Sequence, residues 1–506
     1  MSAIRGAAAD ESGAAPAVRV DDHVPLAVWL IAAAFVVFEL VVSGRYGFQQ
    51  DELYFLVASH HLAFGYVDQP PLAVLLARTT DLFGVTPTAI RILPALAGGA
   101  IVVLAARLAA LFDGGRTARV LAALTVAIAP VVLGAVHVGN TTPYDLLAWT
   151  LVTVCAATAL LRGQPRWWLG AGVAAGIGIE DEYLILTLLA ALVIGILVTS
   201  AHRTALKTPW PWLGGIIALV IWAPNLVWQF TNGWPQLTMA SALHQQNTSA
   251  ADYVGGLPAQ LVYAGLLGIP LAIAGLTTLW RAAGLRFLAV TATLILIYVL
   301  VWIPGKVYYV DGILPAILAA GAVAAERWIA TARRPRTRRV VIGAFALLGT
   351  VAILPSTLPV LTIASVHRVG GATSIADGIG WQHLTADVAA QDAALTRAGR
   401  APTSIFTGAY AEAGALDLYG GRYHLPPVIS GHNTFWLWGP GRASDTTVLY
   451  VDAAGQLKPY FANCRRLATY NPPDQVNSDW NDLAIGVCTD PAGTWKTLWP
   501  HMKHYD

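Results

Sequence analysis

Two adjacent carboxylates, Asp51 and Glu52, follow the first long apolar run, Pro25 to Val42, in an otherwise charge-poor stretch. A bare carboxylate is costly at the centre of a bilayer, so such residues sit at an interface or in a wet cavity. An acidic pair there is what a base needs to take a proton from an acceptor hydroxyl at a membrane surface. The plain alternative is a solvated loop carrying two ordinary acids. Further polar residues recur between apolar runs: Asp68 and Gln69, Arg91, His137, Asn140, Asp145, the run Glu180, Asp181 and Glu182, His244, and Lys306 with Tyr308 and Tyr309.

The elements that must hold these residues are membrane helices. The chain has 506 residues, 56% of them hydrophobic and only 12% charged, with mean hydropathy +0.58. Soluble domains carry about 25% charge. A span needs about 20 apolar residues. Eleven are read: 25–44, 88–112, 118–137, 143–162, 167–180, 183–200, 211–229, 256–280, 287–303, 308–326 and 340–360, with the pair over 167–200 short.

Basic residues in short loops set orientation. One set of loops holds Arg116 and Arg119, Arg162 and Arg166, Arg203 and Lys207, Arg281 and Arg286, and a cluster from Arg327 to Arg339, and is expected to face the cytoplasm. The opposite set holds the acids, histidines and amides named above. Lys306 is the lysine of the membrane region on that outer side, where the positive-inside bias selects against it. Arg45 and Arg91 are the arginines nearest the acidic pair.

Residues 1–24, Ala/Gly-rich and mixed in charge, read as a disordered cytoplasmic tail without a cleavable signal. Residues 25–362 form the membrane domain, with an outer loop over 45–87. Residues 373–506 are polar and punctuated by Gly, Pro, Trp and Tyr. A helix over Ala386–Ala398 and buried strands at Ser404–Thr407 and Thr446–Val451 predict a small extracytoplasmic α/β domain. If that region lies outside the cytoplasm, a Cys464–Cys488 disulfide is plausible, while Cys155 lies in an apolar run. Only five of 31 basic residues are Lys, a bias that points to a GC-rich bacterial genome and hence to a bacterial cytoplasmic membrane. No GxGxxG, Walker or CxxC sequence and no basic nucleic-acid patch occurs, so no nucleic-acid partner is expected.

The order of the polar segments resembles the bacterial members of the protein-O-mannosyltransferase and lipid A aminoarabinose transferase superfamily, glycosyltransferases of GT-C fold. The segments are Asp51-Glu52, Asp68-Gln69-Pro70-Pro71-Leu72, Arg91 to Gly98, Gly139 to Asp145, Gly176 to Tyr183, Asn232 to Pro235, Gly305 to Tyr309 and Leu314-Pro315. The resemblance implies inverting transfer of a sugar from a polyprenyl-phosphate donor to a lipid, glycan or protein acceptor at the outer face of the membrane. Asp51 matches the catalytic carboxylate, and Glu52 would orient it or the sugar. Lys306, Arg91, Tyr308 and Tyr309, with Arg45, would face the phosphate. Asp68, Gln69, Asp181, Glu182 and His244 would complete the donor site.

Two positions depart from the family pattern. Gln69 and Glu182 stand where relatives carry Lys, which removes phosphate-binding charge and suggests a cationic group or metal nearby. Asp68 and His244, helped by His137 and Glu182, are candidate ligands for a divalent ion; no cofactor is otherwise required. The aromatic stretch from Tyr410 to Gly439 reads either as domain core or as a surface for stacking an acceptor sugar. A lipid transporter and a non-catalytic binder of lipid-linked sugar are the rival readings.

Overall fold

The computed structural model describes residues 23–366, 376–442, 446–476 and 480–505. The expected tail lies almost wholly outside them, as does the expected start of the C-terminal domain.

The helices run, in chain order, α1 (Leu26–Val42), α2 (Gln50–Ala58), α3 (Leu72–Ala77), α4 (Thr80–Phe83), α5 (Pro87–Leu111), α6 (Arg116–Ala127), α7 (Pro130–Val136), α8 (Thr142–Leu161), α9 (Trp167–Ile179), α10 (Ile185–Val198), α11 (Pro209–Thr231), α12 (Pro235–Gln246), α13 (Ala250–Arg281), α14 (Arg286–Trp302), α15 (Leu314–Ala330) and α16 (Pro335–Thr357). Every expected apolar segment is helical. The count of eleven crossings is not established, because length separates the helices into groups. Among the described residues, seven helical stretches are long and apolar enough to cross a membrane, α14 and α15 each counted with the 3-10 turn before it, and the count rises to eight if α6 and α7, bent by 59°, form one span. α1, α9 and α10 are apolar but have 17, 13 and 14 residues. At 1.5 Å per residue these span less than the ~30 Å of hydrocarbon.

Small residues set the closest helix contacts. A Cβ on Gly275 of α13 would stand 2.0 Å from the Ile317 carbonyl, and one on Gly321 of α15 would stand 2.0 Å from the Leu271 carbonyl. The two backbones therefore touch where neither residue has a side chain. α16 has no buried residue and lies against the outside of the bundle.

After α16 come α17 (Ile363–Val366), α18 (Trp381–Arg397) and α19 (Tyr410–Gly420), with strands β1 (Ser404–Thr407), β2 (Val428–Ser430), β3 (Thr447–Val451), β4 (Phe461–Tyr470) and β5 (Leu483–Pro491). The sheet order is β2-β1-β3-β5-β4. β1 is parallel to β2 and β3, whereas β5 is antiparallel to β3 and β4. Every residue of β1 is buried, as expected of a strand paired on both sides in the parallel part of the sheet. Cys464 and Cys488 face each other in the β4–β5 register and form a disulfide.

The loop after α1 belongs to the core of this second region. Leu53, Tyr54 and Phe55 of α2 share one hydrophobic cluster with Trp381, Ile405, Leu416, Leu449 and Ile485. α19 lies directly on α2: a Cβ on Gly414 would stand 2.9 Å from Leu53.

Candidate active site

α2 begins at the acidic pair. Gln49 caps it, its side-chain oxygen accepting from the Asp51 N–H at 2.7 Å, while Glu52 Oε2 accepts from the Gln49 N–H at 2.8 Å. This reciprocal box satisfies N–H groups that a helix start leaves open. It also sends the two carboxylates in different directions.

Glu52 points inward and is fully buried. Arg91 donates to it through Nε at 2.8 Å and Nη2 at 2.7 Å, and the Gly139 N–H donates at 2.8 Å. The remaining Arg91 donors go to the carbonyls of Ser43 and Gly47. Beneath them His137 meets Glu39 at 2.9 Å. This corrects two expectations. Arg91 does not face a phosphate, because its guanidinium is consumed in a buried fork with Glu52 that ties α2 to α5 and to the loop before α8. Glu52 for its part is closed off from any sugar. Arg45 is also engaged elsewhere, donating to the Val360 carbonyl at 3.0 Å.

Asp51 faces the other way, into a pocket of about 120 Å3. Asn140 and Asp145 at the start of α8, Glu182 between α9 and α10, and Tyr308, Tyr309 and Asp311 before α15 line the same pocket. Residues scattered over 260 positions thus meet because the starts of α2, α8 and α15 and the end of α9 share one face of the bundle. Asp51 accepts from the Tyr410 hydroxyl at 2.8 Å and from Asn140 Nδ2 at 3.2 Å. Burial pushes its carboxyl above the ordinary range, opposed by these two hydrogen bonds and by the charge of Lys306. A carboxylate so raised, yet still hydrogen-bonded, suits proton abstraction near neutrality better than an ordinary aspartate.

Asp68 is held by its own set of donors: Tyr54 at 2.7 Å, and Asn433 and Thr434 at 3.4 Å each. Burial, with help from Asp51, pushes it up to about 7. Glu182 accepts from the Thr141 hydroxyl at 3.3 Å and is likewise pushed up to about 7, chiefly by burial. Asp181 is fully buried behind it, with burial raising its carboxyl well above the carboxylate range. Gln69 is buried, its carbonyl accepting from the Tyr66 N–H at 3.0 Å. Tyr308 and Tyr309 meet edge to face at 4.8 Å.

His244 does not line this pocket. Its ring stacks on Trp302 at 4.6 Å and Nδ1 meets the Trp302 carbonyl at 2.7 Å. Among the described residues no three His, Cys, Asp or Glu side chains are arranged to hold a metal ion. The residues present therefore do not fit the expected divalent-ion site.

Sequence reasoning missed the role of Tyr410, which lies 359 positions from Asp51, and Asp311, which no motif marks. Of the aromatics beyond Tyr410 in this stretch, Phe435 is buried in the core, whereas Tyr419, Trp436 and Trp438 are half-buried and Tyr423 is exposed. Phe435 is buried 5.9 Å from Tyr54, and Trp438 stacks on His61 at 4.5 Å. Beside the acidic pocket, and sharing Glu182, Leu184 and Tyr309 with it, lies an apolar groove of about 330 Å3 walled by Trp222, Leu237, Leu243 and Trp302.

Residues 68–228 match the family model described as dolichyl-phosphate-mannose-protein mannosyltransferase. The crystal structure of ArnT from Cupriavidus metallidurans bound to undecaprenyl phosphate has the same fold, with TM-score 0.58 and 17% identity over 91% of this chain and 97% of that one. The apo ArnT structure from that organism gives 0.57 and 16% over 92% and 98%. No curated protein matches the chain by sequence. The family match covers about a third of the chain, and the likeness to ArnT, at 16–17% identity, shows a shared fold. Its apolar helices make the chain a multi-pass membrane protein.

Proposed function

We propose that this protein is an inverting glycosyltransferase that moves a sugar from a polyprenyl-phosphate donor to a hydroxyl of a lipid, glycan or protein acceptor at the outer face of the cytoplasmic membrane. The carrying observation is Asp51 on the wall of a polar pocket, hydrogen-bonded by Tyr410 and Asn140 and within the electrostatic reach of Lys306.

Asp51 takes the proton of the acceptor hydroxyl. The freed oxygen attacks the anomeric carbon, and the bond from that carbon to the phosphate oxygen breaks on the opposite side. The phosphate leaves with its lipid, so it needs charge stabilisation and no proton. With Arg91 committed to Glu52 and Gln69 neutral, Lys306 is the cation that acts on this pocket. The apolar groove next to Tyr309 gives the first isoprene units a path into the membrane. ArnT with bound undecaprenyl phosphate has this fold, which supports a lipid of that class.

The test is turnover of a labelled polyprenyl-phosphate sugar by purified protein. Transfer is expected, and Asp51→Asn should lower it by at least about 10²-fold with folding intact, because a positioned base contributes about 10²–10⁴. A folded Asp51→Asn protein with near-normal turnover would sink the assignment. Lipid translocation without transfer would favour a transporter instead.

A further inference from the structure

We propose that the face of the bundle opposite the candidate active site carries a binding site for an anionic two-chain phospholipid. The groove lies between α1, α6, α15 and α16. It has a volume of about 510 Å3, and its walls are Ala27, Leu121, Leu124, Ile329 and Ile342. Arg116, Thr117 and Arg339 stand at one end, where α6 and α16 begin and α15 finishes. α5 and α15 run from the candidate site face to this one, so the two sites lie at opposite ends of the same helices.

The groove has the two parts that such a lipid has. Leu124 and Ile342 lie deeper along α6 and α16 than the arginines, on the apolar side where acyl chains run. Among the described residues the Arg116, Thr117 and Arg339 side chains have no hydrogen bond or ion pair. The nearby acid, Glu326, is already occupied, accepting from the Gly115 and Ala118 N–H groups at the start of α6. Two guanidinium groups and a hydroxyl are thus free to donate to a phosphodiester. Basic pockets between membrane helices hold anionic headgroups through this combination of charge and groove. α16 buries none of its residues, so lipid filling the groove would also supply contacts that its protein neighbours do not.

The experiment is native mass spectrometry of the detergent-purified full chain with phosphatidylglycerol and phosphatidylethanolamine of equal acyl composition. The wild type should hold the anionic lipid about tenfold more tightly. Arg116→Gln with Arg339→Gln should remove that preference. Arg333→Gln with Arg336→Gln, which takes the same charge from two exposed arginines on the same face, should leave it intact. Leu124→Trp fills the groove with both charges in place and should lower retention of the lipid, while glycerophosphoglycerol without acyl chains should fail to displace it. Equal retention of both lipids by the wild type overturns the site. So does an equal loss in the two arginine pairs, wild-type retention by Leu124→Trp, or displacement by the chainless headgroup, which would mean an anion site only.

Discussion

Asp51 and Glu52 are neighbours with the same chemistry, and the fold gives them opposite tasks. The division comes from the first turn of α2, where adjacent side chains diverge by about 100°. Glu52 turns to Arg91 and the interior, whereas Asp51 turns to Tyr410, Asn140 and the pocket. The Tyr410 hydrogen bond favours the ionised form of Asp51. Tyr410→Phe should therefore raise the carboxyl further, leaving less base at neutral pH. The acidic limb of the kcat/KM profile should move to higher pH, because a hydrogen bond that favours the charged form is lost. A lower rate with an unmoved profile would reduce Tyr410 to a packing residue. Lys306 is tested by charge. Lys306→Met should impair donor binding and turnover, since negative charge on the phosphate grows as the glycosidic bond breaks. Lys306→Arg should retain part of the activity. Identical donor dependence and rate in Lys306→Met and wild type would leave Lys306 as an interfacial anchor.

At the scale of elements, the Arg91–Glu52 fork joins α5 to α2 with both side chains at most 5% exposed. Removing one partner leaves the other charge buried without compensation, which costs about 3–5 kcal/mol. Arg91→Met should accordingly lower the thermal midpoint of the purified protein by several degrees, with donor affinity of the folded fraction little changed. A variant of wild-type stability that binds donor more weakly would restore Arg91 to the phosphate site. α2 is the pivotal element. One end of it carries the base, and its apolar faces complete the cluster built on α18, α19 and the sheet. The acidic pair is thereby fixed by the second region as much as by the membrane helices.

For the molecule as a whole, the starts of α2, α8 and α15 gather the acids on one face, and the basic loops gather on the other. From the positive-inside bias we propose that the C-terminal region, 373–506, lies outside the cytoplasm. A fluorescent reporter that matures only in the cytoplasm, fused after Asp506, should stay dark, and Cys464 and Cys488 should resist thiol labelling until reduced. A bright reporter would invert the topology and would move the candidate site to the cytoplasmic face.

Several features are determined by the sequence alone because their causes are local. Apolar runs of sufficient length must become helices in a bilayer, where every backbone group needs an internal partner. That is why each apolar segment from Leu26 to Thr357 is recognisable, as are the buried strand Ser404–Thr407 and the polar patches between helices. The choice of Asp51 as candidate base follows from the resemblance and from its position, and the geometry, which puts it in a pocket with Asp145, Glu182 and Asp311, is compatible with it. Long-range pairing decided the rest. Whether Arg91 met a phosphate or Glu52 depended on how α5 packs beside α2, 39 residues earlier. Whether His244 reached the site depended on Trp302, which holds its ring. Tyr410 reached Asp51 because α19 docks on α2 where Gly414 lets the backbones approach, a contact between segments more than 350 residues apart that no local periodicity encodes.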